Sequence, residues 1–413
     1  MSVRFVSVCS RVLLVGGTLS VIVAGASAQD LISVSVDGAP RASGSSLLDL
    51  VDDALSQVGD FEDLSGVANY SLGIDYLGIE NAIVLEAANS GSEIELSIPS
   101  TGFTRVFSGA TPDEVESQIE DFFREDGSDT YADFLQEVNA RSRLAVLDGN
   151  PRATTALLAR GAFERFSMGA KRTRRGLRRA FDENRSPLDV QLEVNGGVIE
   201  TDGFDSLYVS DAAFTVSNEF HPNVGISVTA LTQYRNFGGT EIHDAGLEVG
   251  LPVSIVTPSR DLPVRWVVTP FLQSGLALSV DLAAGGLALG GGLVSAASYH
   301  WGPFEWMLGN QVAYYSGLPI ETVGGVEVDT ELDQLLLRNG ARWVYYWNEF
   351  GRLEAGIAVT NFVTSEAAVE IYGTPWVRVG YAKGPASLRI GWESDLATNY
   401  QSQIGKLEFS WTF

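Results

Sequence analysis

From residue 188 to residue 413 the chain keeps a single period of two, through segment after segment of roughly 9–15 residues. In 224–234, Ile226, Val228, Ala230, Thr232 and Tyr234 share one face, while Gly225, Ser227, Thr229 and Gln233 share the other. Residues 243–255 set Ala245, Leu247, Val249, Leu251 and Val253 against Asp244, Gly246, Glu248, Gly250 and Ser254. Residues 332–347 set Leu335, Leu337, Ala341, Trp343, Tyr345 and Trp347 against Gln334, Arg338, Gly340 and Arg342. Successive strand side chains point to opposite faces, so each segment is a strand with one apolar and one small or polar face. A soluble sandwich alternates in the same way, and the period alone leaves sandwich and barrel open.

Three further features favour a barrel in lipid. Short turns are expected at His221-Pro222-Asn223, Gly302-Pro303, 348–351 and 383–385, and longer polar loops at 200–206, 236–241, 317–331 and 395–402. Aromatic residues gather beside the short turns, with Trp301 and Phe304, Trp347 and Phe350, and Tyr381. The last strand ends on Phe413. Short turns at one end, long loops at the other and aromatic girdles describe a closed transmembrane barrel. Hydrocarbon forces the closure, because an open edge leaves unpaired amides costing several kcal/mol each. The expected fold is therefore an all-β transmembrane antiparallel barrel of about twelve strands, preceded by a small α/β or mostly helical domain. The strands are expected at 189–200, 206–220, 223–236, 241–256, 263–279, 284–300, 303–316, 331–348, 351–363, 368–383, 386–394 and 403–413.

The N-terminus reads as a secretory signal over 1–28. Arg4 and Arg11 supply positive charge, an apolar run follows, and Ala26-Ser27-Ala28 fits a small-x-small cleavage site before Gln29. Cys9, the one cysteine of the chain, precedes that run, so the mature protein is expected to lack disulfides and cysteine–metal sites. The formal net charge of −25 repels phosphate backbones and argues against nucleic acid as a partner. That charge is unevenly placed. Residues 30–150 carry 24 acids and 5 bases, 151–180 carry 9 bases and 1 acid, and 181–413 carry 27 acids and 11 bases. All 8 tryptophans lie between Trp266 and Trp411. Two architectures joined by a basic connector follow: an acidic domain over 29–150, expected on the periplasmic side, a helical connector over 151–187, and the barrel over 188–413.

In the first part, 45–58 reads as an amphipathic helix, and 82–88, 93–98 and 101–107 as strands. Thr111-Pro112-Asp113-Glu114 is a helix start, with Thr111 as cap, Pro112 in the first turn and Glu114 closing a capping box. That helix is expected to run to about residue 125. A second is expected over 130–147, ended by Gly149, and a third from Asn150-Pro151 to about 168.

Residues 188–413 resemble a Gram-negative outer-membrane β-barrel. In 406–413, Leu407, Phe409, Trp411 and Phe413 stand in phase and resemble the C-terminal signal read by the barrel-assembly machinery. Twelve-stranded barrels of this kind include autotransporter translocators, an outer-membrane phospholipase and small-solute channels. The resemblance implies outer-membrane localisation, with lipid, the assembly machinery, small solutes and a periplasmic protein as partners, and no cofactor. It leaves two functions open: a porin-like channel or membrane anchor with a periplasmic gating or docking domain, and an autotransporter-like translocator exporting 30–150. An outer-membrane hydrolase is a third, weaker reading, and no enzyme activity is expected.

Lys171, Arg172, Arg174, Arg175, Arg178 and Arg179 form the most unusual segment, basic in an acidic chain. It suits a plug at the mouth or inside an acidic lumen, in the place where autotransporter-like barrels carry a pore helix. A solvated linker and a contact with lipid phosphates remain open. Glu248, Arg265, Gln273, Asn310, Arg338, Arg342 and Arg378 are the candidate lumen residues, either selecting solutes by field or pairing to fill the interior. His243-Asp244 falls near the outer rim, but adjacent strand residues point to opposite faces and cannot jointly hold one water. His221 and His300 read as rim residues. The acidic spacing 121–133 lacks an EF-hand loop pattern, and the glycines at 285–292 lack the strand–loop–helix of a phosphate site.

Overall fold

The computed structural model describes residues 32–37, 39–44, 69–89, 92–122, 128–168, 188–201, 204–221, 223–237, 240–257, 263–279, 282, 284–318, 320–321, 327–328, 332–363 and 367–413. The expected signal segment, the 45–58 helix and the basic run 171–179 lie outside the described residues.

The first part is a six-stranded antiparallel sheet: β1 (Ile32–Val36), β2 (Ala39–Gly44), β3 (Tyr70–Tyr76), β4 (Ile79–Ala88), β5 (Glu93–Ile98) and β6 (Phe103–Ser108), in the order β2-β1-β3-β4-β5-β6. Its alternation is clean in β5, where Ile94, Leu96 and Ile98 are buried and Glu93 and Glu95 are exposed. Two helices follow, α1 (Pro112–Asp121) and α2 (Ser128–Arg141). The Thr111 side chain accepts from Glu114 N, the first half of the expected capping box, while Glu114 Oε2 accepts at 2.8 Å from Ala110 N, one residue before the cap. Helix α2 stops at Arg141, short of the expected 147. Ser142 Oγ instead donates to Leu77 O at 2.7 Å, and the apolar stretch Leu144, Ala145, Val146 and Leu147 is buried in a non-helical turn. Helix α3 (Thr154–Phe163) then runs into a π-helical turn over Glu164–Met168.

The second part is a closed barrel. Its strands are β7 (Leu188–Thr201), β8 (Phe204–His221), β9 (Val224–Phe237), β10 (Thr240–Gly250) with β11 (Val253–Val256), β12 (Val264–Ser279), β13 (Ala284–Trp301) and β14 (Phe304–Leu318). After a small hairpin, β15 (Ile320–Glu321) and β16 (Glu327–Val328), come β17 (Asp333–Tyr346), β18 (Gly351–Phe362), β19 (Ile371–Lys383), β20 (Ala386–Ala397) and β21 (Tyr400–Thr412). β10 and β11 are one strand broken at Leu251-Pro252, since both pair with β9 and with β12. That gives twelve strands. The ring closes through β21 on β7, from Tyr400 opposite Thr201 to Thr412 opposite Asp189.

The expected strand positions hold, but the loop-length argument holds only in part. The connections 202–203, 238–239 and 398–399 are two residues long where longer loops were expected, and 257–263 is long on the side of the short turns. Only 319–332 and 363–370 are extended on the far side. The turn-flanking polar residues extend the strands instead, because a ladder of paired amides continues as long as both neighbours do.

Alternation now has a direction. Leu272, Leu308, Ile390 and Trp306 point outward, 71, 63, 59 and 54% exposed, while Glu248, Gln273, Arg338 and Arg342 point inward and are buried. Leu407, Phe409, Trp411 and Phe413 also face out, with the rings of Phe409, Trp411 and Phe413 6.3–6.4 Å from one to the next. Phe304, Trp343 and Tyr345 stack beside the turn at 302–303. Such a wall in water would forgo about 25 cal/mol for every Å² of apolar surface left exposed, and lipid removes that cost. The fold is that of an outer-membrane β-barrel.

Candidate functional site: a helix threaded through the lumen

The two ends of the barrel are distinguishable by the chain itself. Leu188 and Phe413 lie at one rim, where Phe413 N donates to Leu188 O at 2.8 Å. The six-stranded sheet sits at the opposite rim. There Tyr76 Oη donates to Leu282 O at 2.9 Å, Val369 N donates to Gly149 O at 3.0 Å, and α2 packs beside β16. Tyr76, Leu77, Leu135, Val138, Val146 and Leu147 of the first part share a small cavity with Ala284 and Gly285 of β13. The chain passes from that far rim into the barrel at 150–153, and α3 descends the lumen.

The helix is apolar over much of its length, and all of its residues except Gly161 are buried. What holds it is charge. Arg152 pairs with Asp395 at 2.8 Å and with Glu393 at 3.3 Å, and Arg160 reaches both carboxylates at 3.2 Å. In the π-helical turn, Arg165 grips Glu248 through two bonds of 2.8 Å, a bidentate fork. Glu164, the one acid of the segment, faces the other way and meets Arg378 at 2.7 Å and Lys406 at 2.9 Å. Each plug charge has its opposite on the wall. Burying a single charge costs several kcal/mol, and such a lumen is stable only when the pairs are complete.

Neutral contacts set the depth. Thr154 Oγ1 donates to Asp244 at 2.6 Å, and Gln233 and Gln273 of the wall donate to Arg152 O at 2.9 Å and Leu158 O at 2.7 Å. Arg235 anchors the entry, bonding Asp244 at 3.0 Å and Val146 O at 2.9 Å. Phe163 packs with Met307, Ala358 and Trp376, under the Arg338 guanidinium at 5.4 Å. Two glycines of the wall are there for space. A Cβ at Gly250 would lie 2.2 Å from the Phe166 ring, and one at Gly275 would lie 2.7 Å from Leu158 and 2.9 Å from Thr154.

Little room is left. Between α3 and strands β7 to β9 a cavity of about 30 Å³ remains, lined by Glu193, Asn195 and Asp211 on the wall side. On that measure one water needs about 10–15 Å³, so the space suits a few water molecules. Towards the near rim a second charged belt lines the wall below the plug. Glu354 pairs with Arg352 at 2.6 Å and Arg342 at 3.3 Å, Arg389 with Glu408, and Glu305 with His300 at 3.1 Å.

Of the expected lumen residues, Glu248, Gln273, Arg338, Arg342 and Arg378 are inside, and they are paired rather than free to meet a solute. Arg265, half-buried near the near rim, shares their inward phase. Asn310 does not: it shares the outward phase of Trp306 and Leu308 and is exposed. The error was one of parity, since Glu305, Met307 and Gln311 are the inward residues of β14. Lys171, Arg172, Arg174, Arg175, Arg178 and Arg179 lie outside the described residues. The described plug is the segment before them, whose Arg152, Arg160, Glu164 and Arg165 were counted only as part of the basic connector. The available signal was spacing: Arg152, Arg160 and Arg165 stand among apolar residues in a helix too charged for lipid and too apolar for water. His243 is 64% exposed at the far rim, beside Glu241 at 3.6 Å and the Tyr234 ring. His221 and His300 are at the near rim, as expected.

Among solved structures, the β domain of the Bordetella autotransporter BrkA is similar to this chain, at 12% identity, with a TM-score of 0.40 over 55% of this chain and 99% of that one. The translocator domain of the autotransporter NalP from Neisseria meningitidis gives 10% identity, a TM-score of 0.38, and 63 and 98% coverage. An outer-membrane channel from Pseudomonas putida F1 gives 11%, 0.38, and 55 and 95%. No family model and no curated protein matches the chain. At these identities the likeness concerns the fold and nothing beyond it.

Proposed function

We propose that the chain is a translocator-type outer-membrane barrel that presents its own N-terminal region, 30–150, at the cell surface, with α3 left in the pore as a plug. One observation carries this reading: the covalent path. The chain leaves a folded sheet at the far rim, descends the lumen as α3, and enters β7 at the near rim beside Phe413. In barrels of even strand number the longer loops are extracellular, and two of the three long connections, 319–332 and 363–370, are at the far rim, against 257–263 at the near one. The far rim is then the outside, and the sheet with it.

The porin-like reading requires an open lumen, and the complete ion pairing of the plug argues against one in this state. Its periplasmic domain would also have to dock at the rim that carries two of the three long connections. A plugged barrel with a surface domain is as well a membrane anchor for that domain.

The test is an epitope tag inserted beside Gly44, followed by protease on intact and on permeabilised cells. Cleavage on intact cells is the expected result. Protection until the outer membrane is opened would place the sheet in the periplasm and overturn the proposal.

A further inference from the structure

Outward residues in the middle of the barrel wall are apolar almost throughout, as lipid demands. β14 runs Phe304, Trp306, Leu308, then Val312 and Tyr314, all outward, with Asn310 at its centre. β17 runs Leu335, Leu337, then Ala341, Trp343 and Tyr345, with Asn339 at its centre. The ladder sets Asn310 directly opposite Asn339, and on the other side sets Ser295 of β13 opposite Asn310. Both side chains are exposed, and beyond the backbone ladder neither carboxamide has a hydrogen-bond partner among the described residues. Ser295 accepts from Trp266 Nε1 at 2.9 Å. Elsewhere among the described residues the outward carboxamides Asn218, Asn236, Asn361, Gln401 and Gln403 stand towards strand ends.

A primary amide carries two donors and an acceptor, so even a bond between Asn310 and Asn339 across the ladder leaves groups unmet in hydrocarbon, at a cost of several kcal/mol. Acyl chains offer nothing in return. We infer that the β13–β14–β17 wall is a self-association face, on which Asn310 and Asn339 bond the same residues of a second copy of this chain within the membrane.

A second copy is the occupant that the chemistry of the pair fits. An amide is self-complementary, donating and accepting at once, so the same pair on a facing copy satisfies it. Depth matches without further design, because the rings of Trp306, Tyr299, Trp343 and Tyr345 hold every copy at one level in the bilayer. A two-fold axis along the membrane normal then brings Asn310 of one copy to the amides of the other, an isologous contact. Small outward residues beside the pair, Ala297 and Ala341, permit close approach. The inference is independent of which side of the membrane the N-terminal sheet occupies.

The experiment uses the full-length chain in native membranes, with single cysteines on the outer wall. Leu308→Cys lies on the proposed face, and Ile390→Cys lies off it, four strands round the barrel on β20. Oxidative crosslinking is expected to give a covalent dimer at least tenfold more abundant for Leu308→Cys, and Asn310→Leu with Asn339→Leu is expected to abolish it. Leucine suits a lipid-facing position, so the double variant is expected to fold, checked by its heat-dependent migration. Equal crosslinking at both positions, a product containing a different protein, or a dimer that survives the double substitution would overturn the inference. Should the double variant fail to fold, the mass of the unsubstituted protein in micelles decides: a monomer overturns the inference and a dimer dissociated by Asn310→Ser upholds it.

Discussion

The fork between Arg165 and Glu248 is where the plug is most exposed to a single change. Glu248 is fully buried, and its two oxygens are taken by Arg165 and by Gln273. Arg165→Ala leaves that carboxylate without its counter-ion, and the expected loss is about 3–5 kcal/mol of stability for a broken buried pair. Replacing both members, with Arg165→Met and Glu248→Leu, removes the orphaned charge and is expected to cost less than the single change, a non-additivity read from urea midpoints in micelles. A loss for the pair equal to the sum of its members would refute the coupling. Space is tested separately at Gly275, where a Cβ has no room beside Leu158 and Thr154. Gly275→Val is expected to expel α3 and raise conductance while the wall keeps its register, since the ladder on either side is backbone-made.

The barrel elements were legible and the plug was half legible, for a physical reason. A strand between lipid and lumen must alternate, so Leu407, Phe409, Trp411 and Phe413 announce their strand from sequence alone. Parity slips where the outward residue is itself polar, and Asn310 was assigned to the lumen for that reason. Helix α3 was expected from 150–151 to about 168 and is found over Thr154–Phe163 with a π-helical turn to Met168, yet its role was given to the basic run that follows. Which wall residues its arginines meet depends on pairings as distant as Arg160 with Glu393 and Asp395, and no local pattern encodes them. Strands β1 to β3 were missed because their apolar side is completed only by the helices and the far rim, as at Tyr76 on Leu282. At this scale the expectation concerns α3 itself. Deleting 152–168 is expected to leave a folded barrel with a conductance at least several-fold higher in planar bilayers. An unchanged conductance would mean that the lumen is closed by something else.

Across the whole molecule, sheet, plug and barrel share a continuous apolar core running from Ile32 and Leu96 through Leu158 to Phe271 and Ile404. Its polar ties are internal too, with Arg152, Arg160, Glu393 and Asp395 all at most 4% exposed. Salt screens charges that water can reach and leaves buried pairs nearly untouched. A plug held by surface attraction would loosen as ionic strength rises, and conductance would climb faster than the bulk electrolyte. A plug held as this one is should stay seated. The expected outcome is a low single-molecule conductance that scales with bulk conductivity from about 0.1 to 1 M salt, a range over which the Debye length falls from about 10 to 3 Å. Long openings that appear only at the high end would show that water reaches the ion pairs, and that the plug is a loose occupant of the pore instead of part of its core.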